Sequence, residues 1–204
     1  MKDLIEKYDA VAERYTAIDY ADPDRYYARR ARVVVRFGVP LMTGDTVLDF
    51  ACGDGALGAY VLALGMDYRG VDASAGMAAV AERSVPGRVT VGGFDYVPPE
   101  PVAATTIFRS LYLVPDRRAF LANLHGFTHK KLVFDFDPRA YAPGDVLADV
   151  VAAGWRDVLV RPFLLPQRRR VPAPVAALLA RLEPLPGARV VTRLAFPLLV
   201  SARA

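Results

Sequence analysis

Apolar residues along the chain follow two rhythms. Short runs with little polar alternation recur at 46–50, 67–71, 88–91, 105–108, 131–136 and 155–163, and stretches with helical spacing lie between most of them. Short apolar runs separated by helical stretches predict buried parallel strands joined by crossover helices. The last run, 190–201, alternates in places and predicts a seventh strand. With 155–163 it suits an antiparallel hairpin that carries an inserted helix over 174–182, ended by Pro184 and Pro186-Gly187.

The helical stretches carry their own signals. Leu4, Tyr8, Val11 and Tyr15 fall on one helical face. Asp22-Pro23 starts a second helix, with Asp as N-cap and Pro in the first turn. That helix carries Tyr26, Tyr27, Val33, Val34 and Phe37, and stops before Gly38 and Pro40. Ser74 caps a helix to about residue 83, and Asp116 caps one that presents Phe120, Leu121 and Leu124. A helix over 145–153 stops at Gly154. Pro98, Pro99 and Pro101 form a stiff connector, and no internal repeat is evident.

The stretch 46–72, TVLDFACGDGALGAYVLALGMDYRGVD, organises the rest. A buried strand ends in the turn Gly53-Asp54-Gly55, a helical run follows, and a second strand finishes on Asp72. Strand, glycine turn, helix, strand and acid make one βαβ unit with a ligand site at its top. Glycine lets the backbone approach a ligand closely, and the helix that follows turns its free N–H groups to the same spot. An acid at the end of the second strand is placed to bind the two ribose hydroxyls of a nucleoside.

Gly53-x-Gly55-x-x-Gly58 also satisfies the dinucleotide fingerprint, so the carboxylates must separate two ligand classes. Asp49, Asp54, Asp72 and Asp95 all fall at predicted strand tops or in the turn. Several acids around one small site repel a pyrophosphate and favour a cation. S-adenosylmethionine (SAM) carries a sulfonium, an ammonium and no phosphate. Asp49-Phe50-Ala51-Cys52-Gly53-Asp54-Gly55 resembles the D-x-G-C-G-x-G motif of the class I SAM-dependent methyltransferases, with Ala51 in place of the first glycine. Gly70-Val71-Asp72-Ala73-Ser74 is similar to the second motif of that family.

The resemblance covers nearly the whole chain and implies one α/β domain over 1–204, Rossmann-like. Its sheet would have seven mostly parallel strands in the order 3-2-1-4-5-7-6, strand 7 antiparallel, with helices on both faces and residues 1–38 as an N-terminal helical lid. It implies SAM as cofactor, S-adenosylhomocysteine as product, and a cofactor site of Asp49, Ala51, Gly53, Asp54, Gly55, Asp72 and Ala73. Asp95 would accept from the adenine amino group, with Phe94 and Tyr96 beside the ring. Tyr8 and Tyr15 would cover the cofactor, and Arg109 ends the strand that lies across its methyl position. The Asn-Pro-Pro-Tyr type motif of adenine- and amide-methylating enzymes is absent, which lowers DNA and protein-release-factor substrates.

Methyl transfer from a sulfonium needs little acid–base machinery, because proximity and orientation alone supply ~7–11 kcal/mol. Where a base is used, the strand-top residues Tyr112 and Asp137 are the candidates. His125 and His129 fall between a helix and the fifth strand, at the bottom of the sheet, and ligands in open α/β sheets bind at the other end. Arg109 and Arg139 follow strand ends and can fork onto a carboxylate or phosphate, which points to a small acceptor with an anionic group, Tyr112 beside it. Arg161 and Arg168 to Arg170 fit a solvated edge as well as that site.

Composition adds bounds. The chain has 204 residues, 53% hydrophobic and 24% charged, enough for one domain with a full core. The net charge of +4 comes from arginine, which fits either an arginine-rich codon bias or attraction to an acidic substrate. A single cysteine, Cys52, excludes an intrachain disulfide. The charged start is unlike a signal peptide, and no apolar run approaches the ~20 residues of a membrane span. The expectation is a soluble, cytoplasmic monomer or homodimer that binds neither membrane, metal nor nucleic acid. Two rivals stay open: a SAM-binding regulatory or interaction protein without methyl transfer, and a nicotinamide-dependent dehydrogenase. The second lacks a Tyr-x-x-x-Lys pair and room for a catalytic domain.

Overall fold

The computed structural model describes residues 2–185 and 197–204. The two halves of the expected βαβ unit form as the pattern indicates. β1 (Thr46–Phe50) runs into α4 (Ala56–Ala63), and β2 (Asp67–Asp72) pairs parallel beside β1. α5 (Ala75–Ser84) follows, its first turn capped by Ser74 Oγ, which accepts from the Met77 N–H at 3.0 Å. β3 (Val89–Val91) closes that edge of the sheet.

The other half starts with β4 (Val102–Ile107), parallel to β1, then α6 (Arg117–Phe127), β5 (Thr128–Phe136), α7 (Pro143–Ala152), β6 (Arg156–Pro162), α8 (Ala173–Leu182) and β7 (Leu198–Arg203). The sheet order is β3-β2-β1-β4-β5-β7-β6, with β7 antiparallel to both neighbours. Order and polarity match the expectation. Two strands begin earlier than the apolar pattern indicates. β4 starts at Val102, not Thr105, because burial along its whole length outweighs the weak strand preference of Ala103 and Ala104. β5 starts at Thr128, not Lys131; Thr128 and Thr105 share a buried hydroxyl contact of 2.5 Å. Residues 186–196, which include Pro186-Gly187 and the expected start of the last strand, lie outside the described residues.

Strand alternation sorts the core into two layers. Leu48, Phe50, Leu132, Phe134 and Val200 face α6 and α7. Val47, Val133 and Leu199 face the other way, with Tyr26, Ala31 and Val34 of α3 (Pro23–Arg36), Leu57 and Val61 of α4, and Ala176 of α8. α3 is capped as expected: Asp22 accepts from the Arg25 N–H at 3.3 Å. At its far end the Lys131 ammonium, wholly buried, donates to the Val35 and Phe37 carbonyls at 3.3 and 3.0 Å. Those carbonyls need a donor, and Lys131 supplies it although burial pushes its pKa down to about 7.

The chain before α3 is not one helix. α1 (Lys2–Val11) gives way to a 3-10 turn (Ala12–Arg14) and then a short α2 (Tyr15–Asp19). The break turns Tyr15 back over the glycine loop: a Cβ built on Gly53 would lie 3.7 Å from the Tyr15 ring. Asp9 holds the segment down, its Oδ1 accepting from Ser74 Oγ at 2.5 Å and from the Gly76 N–H at 2.8 Å.

Candidate functional site

The carboxyl ends of β3, β2, β1 and β4 and the N-terminal segment enclose a cavity of about 230 Å³. β1 stops at Phe50, and the chain makes a tight turn with Ala51 at φ 52°, Gly53 at 60° and Gly55 at 72°. Left-handed backbone costs glycine little, and Ala51 takes it at a cost of ~1–2 kcal/mol. Gly55 is the residue that α4 starts from, and a Cβ there would meet Ala81 of α5 at 2.9 Å. Gly58 seats the Tyr68 ring, so α4 lies close on β2.

Asp72 joins the two turns. Its Oδ2 accepts the Gly53 N–H at 2.8 Å and its Oδ1 the Ser74 N–H at 2.9 Å. Burial raises its pKa and these backbone donors oppose the rise. Each oxygen keeps a lone pair for a further donor. Gly92, Gly93 and Phe94 form the wall beyond β3, with Phe94 edge-on to Phe120 at 5.3 Å between centroids. Leu4, Ile5, Tyr8 and Tyr15 close the cavity from above. Burial raises the phenols of Tyr8 and Tyr15, so both serve as neutral hydrogen-bonding groups.

Of the residues nominated from sequence, Tyr8, Tyr15, Ala51, Gly53, Asp72, Ala73, Phe94 and Arg109 line this cavity. Asp49 lies beneath it, buried, accepting from Thr106 Oγ1 at 2.6 Å and Tyr68 OH at 3.1 Å. Burial pushes its pKa up to about 6 against those two donors. Asp54 and Gly55 shape the turn; Asp54 accepts the Ala56 N–H at 3.3 Å. Asp95 is exposed, and its Oδ1 would meet a Cβ built on Gly93 at 2.9 Å. Tyr96 packs edge-on to Phe50 at 6.4 Å. Tyr112 is exposed and shares a 3.0 Å hydroxyl contact with Tyr8.

Asp137 and Arg139 are not brought to the cavity wall. Arg139 forks onto Asp137, with contacts of 2.9, 3.2 and 2.6 Å, and holds that carboxyl below its ordinary range. His125 sits in the last turn of α6 and His129 in β5, within elements and not between them, because α6 runs directly into β5. The His125 ring stands edge-on to Trp155 at 5.1 Å.

Sequence reading missed Ser74, Met77, Ser110 and Leu113 in the wall. It also missed the group behind Arg109. That residue has φ 57°, and its N–H donates to Asp135 Oδ1 at 2.6 Å. Asp135 Oδ2 takes Arg30 Nη1 at 2.7 Å, both side chains being buried. Arg30 Nη2 donates to Tyr26 OH at 2.6 Å, and its guanidinium lies over the Phe108 and Phe163 rings at 4.3 and 4.8 Å.

The fold and the place of the cavity define a class: this is the fold of the class I methyltransferases. Several solved structures share it. One, a complex of the Haloferax volcanii Trm112 methyltransferase activator with a methyltransferase, matches at a TM-score of 0.68 and 19% identity over 97% of each chain. Magnesium protoporphyrin IX methyltransferase from Synechocystis, with SAM bound, matches at 0.60 and 15%, over 98% of this chain and 83% of that one. Geranyl diphosphate C-methyltransferase from Streptomyces coelicolor, with geranyl diphosphate and S-adenosylhomocysteine, matches at 0.61 and 15%, over 88% and 80%. No protein-family model matches the chain. No curated protein is recognisably similar to it in sequence. No helix among the described residues is long and apolar enough to cross a membrane.

Proposed function

We propose that the protein is a methyltransferase that binds SAM and passes its methyl group to a small molecule. The observation that carries this is Asp72, fixed by two backbone N–H groups at the floor of a cavity that Leu4, Ile5, Tyr8 and Tyr15 cover. An anchored acid suits two ribose hydroxyls. Gly92, Gly93 and Phe94 on one side suit a flat base, and Gly53 and Ala51 on the other present small residues to a methionine chain. SAM and S-adenosylhomocysteine in the structures of similar fold support the same reading.

The chain's contribution to the reaction is to hold two partners in line and keep water out. Asp72 orients the nucleoside end, and Leu4, Ile5, Tyr8 and Tyr15 cover the site. On this reading the lid is the stretch before α3, since α3 itself belongs to the core. A general base is a minor part of the proposal. Asp137 is a weak one, its proton affinity lowered by Arg139. Tyr112, bonded to Tyr8 above the cavity, is the better placed of the two. An anionic acceptor has less support than the cofactor: Arg139 is committed to Asp137, which leaves Arg109 as the arginine at the wall.

The experiment is a screen of small molecules with SAM, read as S-adenosylhomocysteine formed. Turnover with at least one acceptor, abolished by Asp72→Ala, is the expected result. Tight SAM binding with no turnover across a broad screen would favour a binding protein instead.

A further inference from the structure

Arg109 is held in an unusual way. A non-glycine residue in left-handed backbone needs compensation, and here a carboxylate supplies it by accepting the Arg109 N–H at 2.6 Å. That carboxylate, Asp135, is buried and would be costly there unpaired. Arg30 pairs with its other oxygen at 2.7 Å and is itself buried among Tyr26, Phe108 and Phe163. The charge of Asp135 is therefore spent on Arg30, not on the Arg109 guanidinium. Among the described residues, that guanidinium makes no ion pair; its inner Nη1 is buried without a hydrogen-bond partner, and the group lies 6.0 Å from the centre of the Tyr20 ring. A half-buried cation at the wall of a cavity, with no carboxylate paired to it, is placed to receive an anion.

Position says which anion. Across the strand ends the cavity runs from Gly92 to Phe94 after β3, through Asp72 after β2 and Gly53 after β1, to Arg109 after β4. If the nucleoside occupies the β3 and β2 end, its amino-acid tail reaches the β1 and β4 end. We infer that Asp135, neutralised by Arg30, is the positioning residue that sets Arg109 at the cavity wall to receive the amino-acid carboxylate of the cofactor. The inference rests on the SAM reading of the cavity.

The test compares S-adenosylhomocysteine with 5′-methylthioadenosine, which keeps the nucleoside and lacks the amino-acid tail. Calorimetry on the whole chain gives the ratio of the two affinities. Arg109→Gln should cut that ratio by about tenfold or more, the weight of one charge-assisted hydrogen bond. The pair Arg30→Met/Asp135→Leu replaces the buried ions with apolar side chains, an exchange that buried pairs often tolerate. It should cut the ratio to the same extent, and the triple variant should cut it no further. If the apolar pair fails to fold, Asp135→Glu keeps the charge that Arg30 needs and displaces the oxygen that accepts the Arg109 N–H, and should shift the ratio the same way by less. An unchanged ratio in a folded Asp135 variant, or losses that multiply in the triple variant, would overturn the inference by making Asp135 structural only. Full affinity for S-adenosylhomocysteine in Arg109→Gln would overturn it too, sending Arg109 to the acceptor's anion. If the unaltered protein binds neither compound, the cofactor reading itself fails, and that outcome is distinct from the others.

Discussion

Asp72 on β2 binds the backbone of Gly53 beyond β1, at 2.8 Å, so one carboxylate both ties the two turns together and faces the cavity between them. Replacing it should act twice. Asp72→Ala should weaken S-adenosylhomocysteine by on the order of 1.5–3 kcal/mol for each ribose bond lost. It should also lower the melting temperature, because two turn N–H groups lose their acceptor. Unchanged affinity in the folded variant would remove Asp72 from the ligand.

Ala51 stands where the resembled motif has glycine, and its φ of 52° is one that glycine adopts freely. Ala51→Gly should therefore stabilise the protein by about 1 kcal/mol. It should not weaken nucleoside binding, since the cavity gains room. Denaturant midpoints for the two proteins check this; a lower midpoint in Ala51→Gly would show that the turn is not strained.

Asp49 predicts a pH signature. Its folded pKa of about 6 lies above the ordinary carboxylate value of 3.8 because burial penalises the charged form. The folded state thus binds this proton more tightly than the unfolded state. The stability it lends is fully present below the unfolded value and lost as pH rises through about 6. Asp49→Asn removes that dependence, so its stability relative to the unaltered protein should rise between pH 4 and pH 7, by no more than ~3 kcal/mol. Unfolding free energies of both proteins across that range test it; a constant difference would mean that Asp49 ionises at its ordinary pKa.

His125 and His129 should be dispensable for turnover. His129 lies at the start of β5, and His125 packs on Trp155, both far along the strands from the cavity end. His125→Ala should lose some stability and keep its rate per folded molecule. A drop of ~100-fold in a folded variant would assign a histidine to the chemistry.

The sequence made the glycine turn and Asp72 legible because their chemistry is local: a strand, a turn and an acid occur within one βαβ unit. The sheet order followed from the resemblance, and the structure shows the same order. Asp135 was harder to see. It sits in the run Lys131-Leu132-Val133-Phe134-Asp135-Phe136-Asp137, where Asp137 at the strand end looks like the functional acid. Alternation places Asp135 on the Val133 face, under α3, and there only another buried charge can meet it. That charge, Arg30, is one residue before Ala31 on the apolar side of a helix whose tyrosines drew the attention. A lone arginine among Tyr26, Tyr27, Val33 and Val34, set against a lone acid in a buried strand, was the available signal. The pairing of Arg139 with Asp137 is a matter of side-chain conformation two residues apart, which no periodicity encodes.

Calorimetric titration with S-adenosylhomocysteine and, separately, with NAD tests the central claim most directly. The acid-anchored cavity, covered by Leu4, Ile5, Tyr8 and Tyr15 in the fold that holds SAM and S-adenosylhomocysteine in other proteins, predicts saturable binding of S-adenosylhomocysteine, lost in Asp72→Ala, and none of NAD. Tighter binding of NAD than of S-adenosylhomocysteine would contradict it.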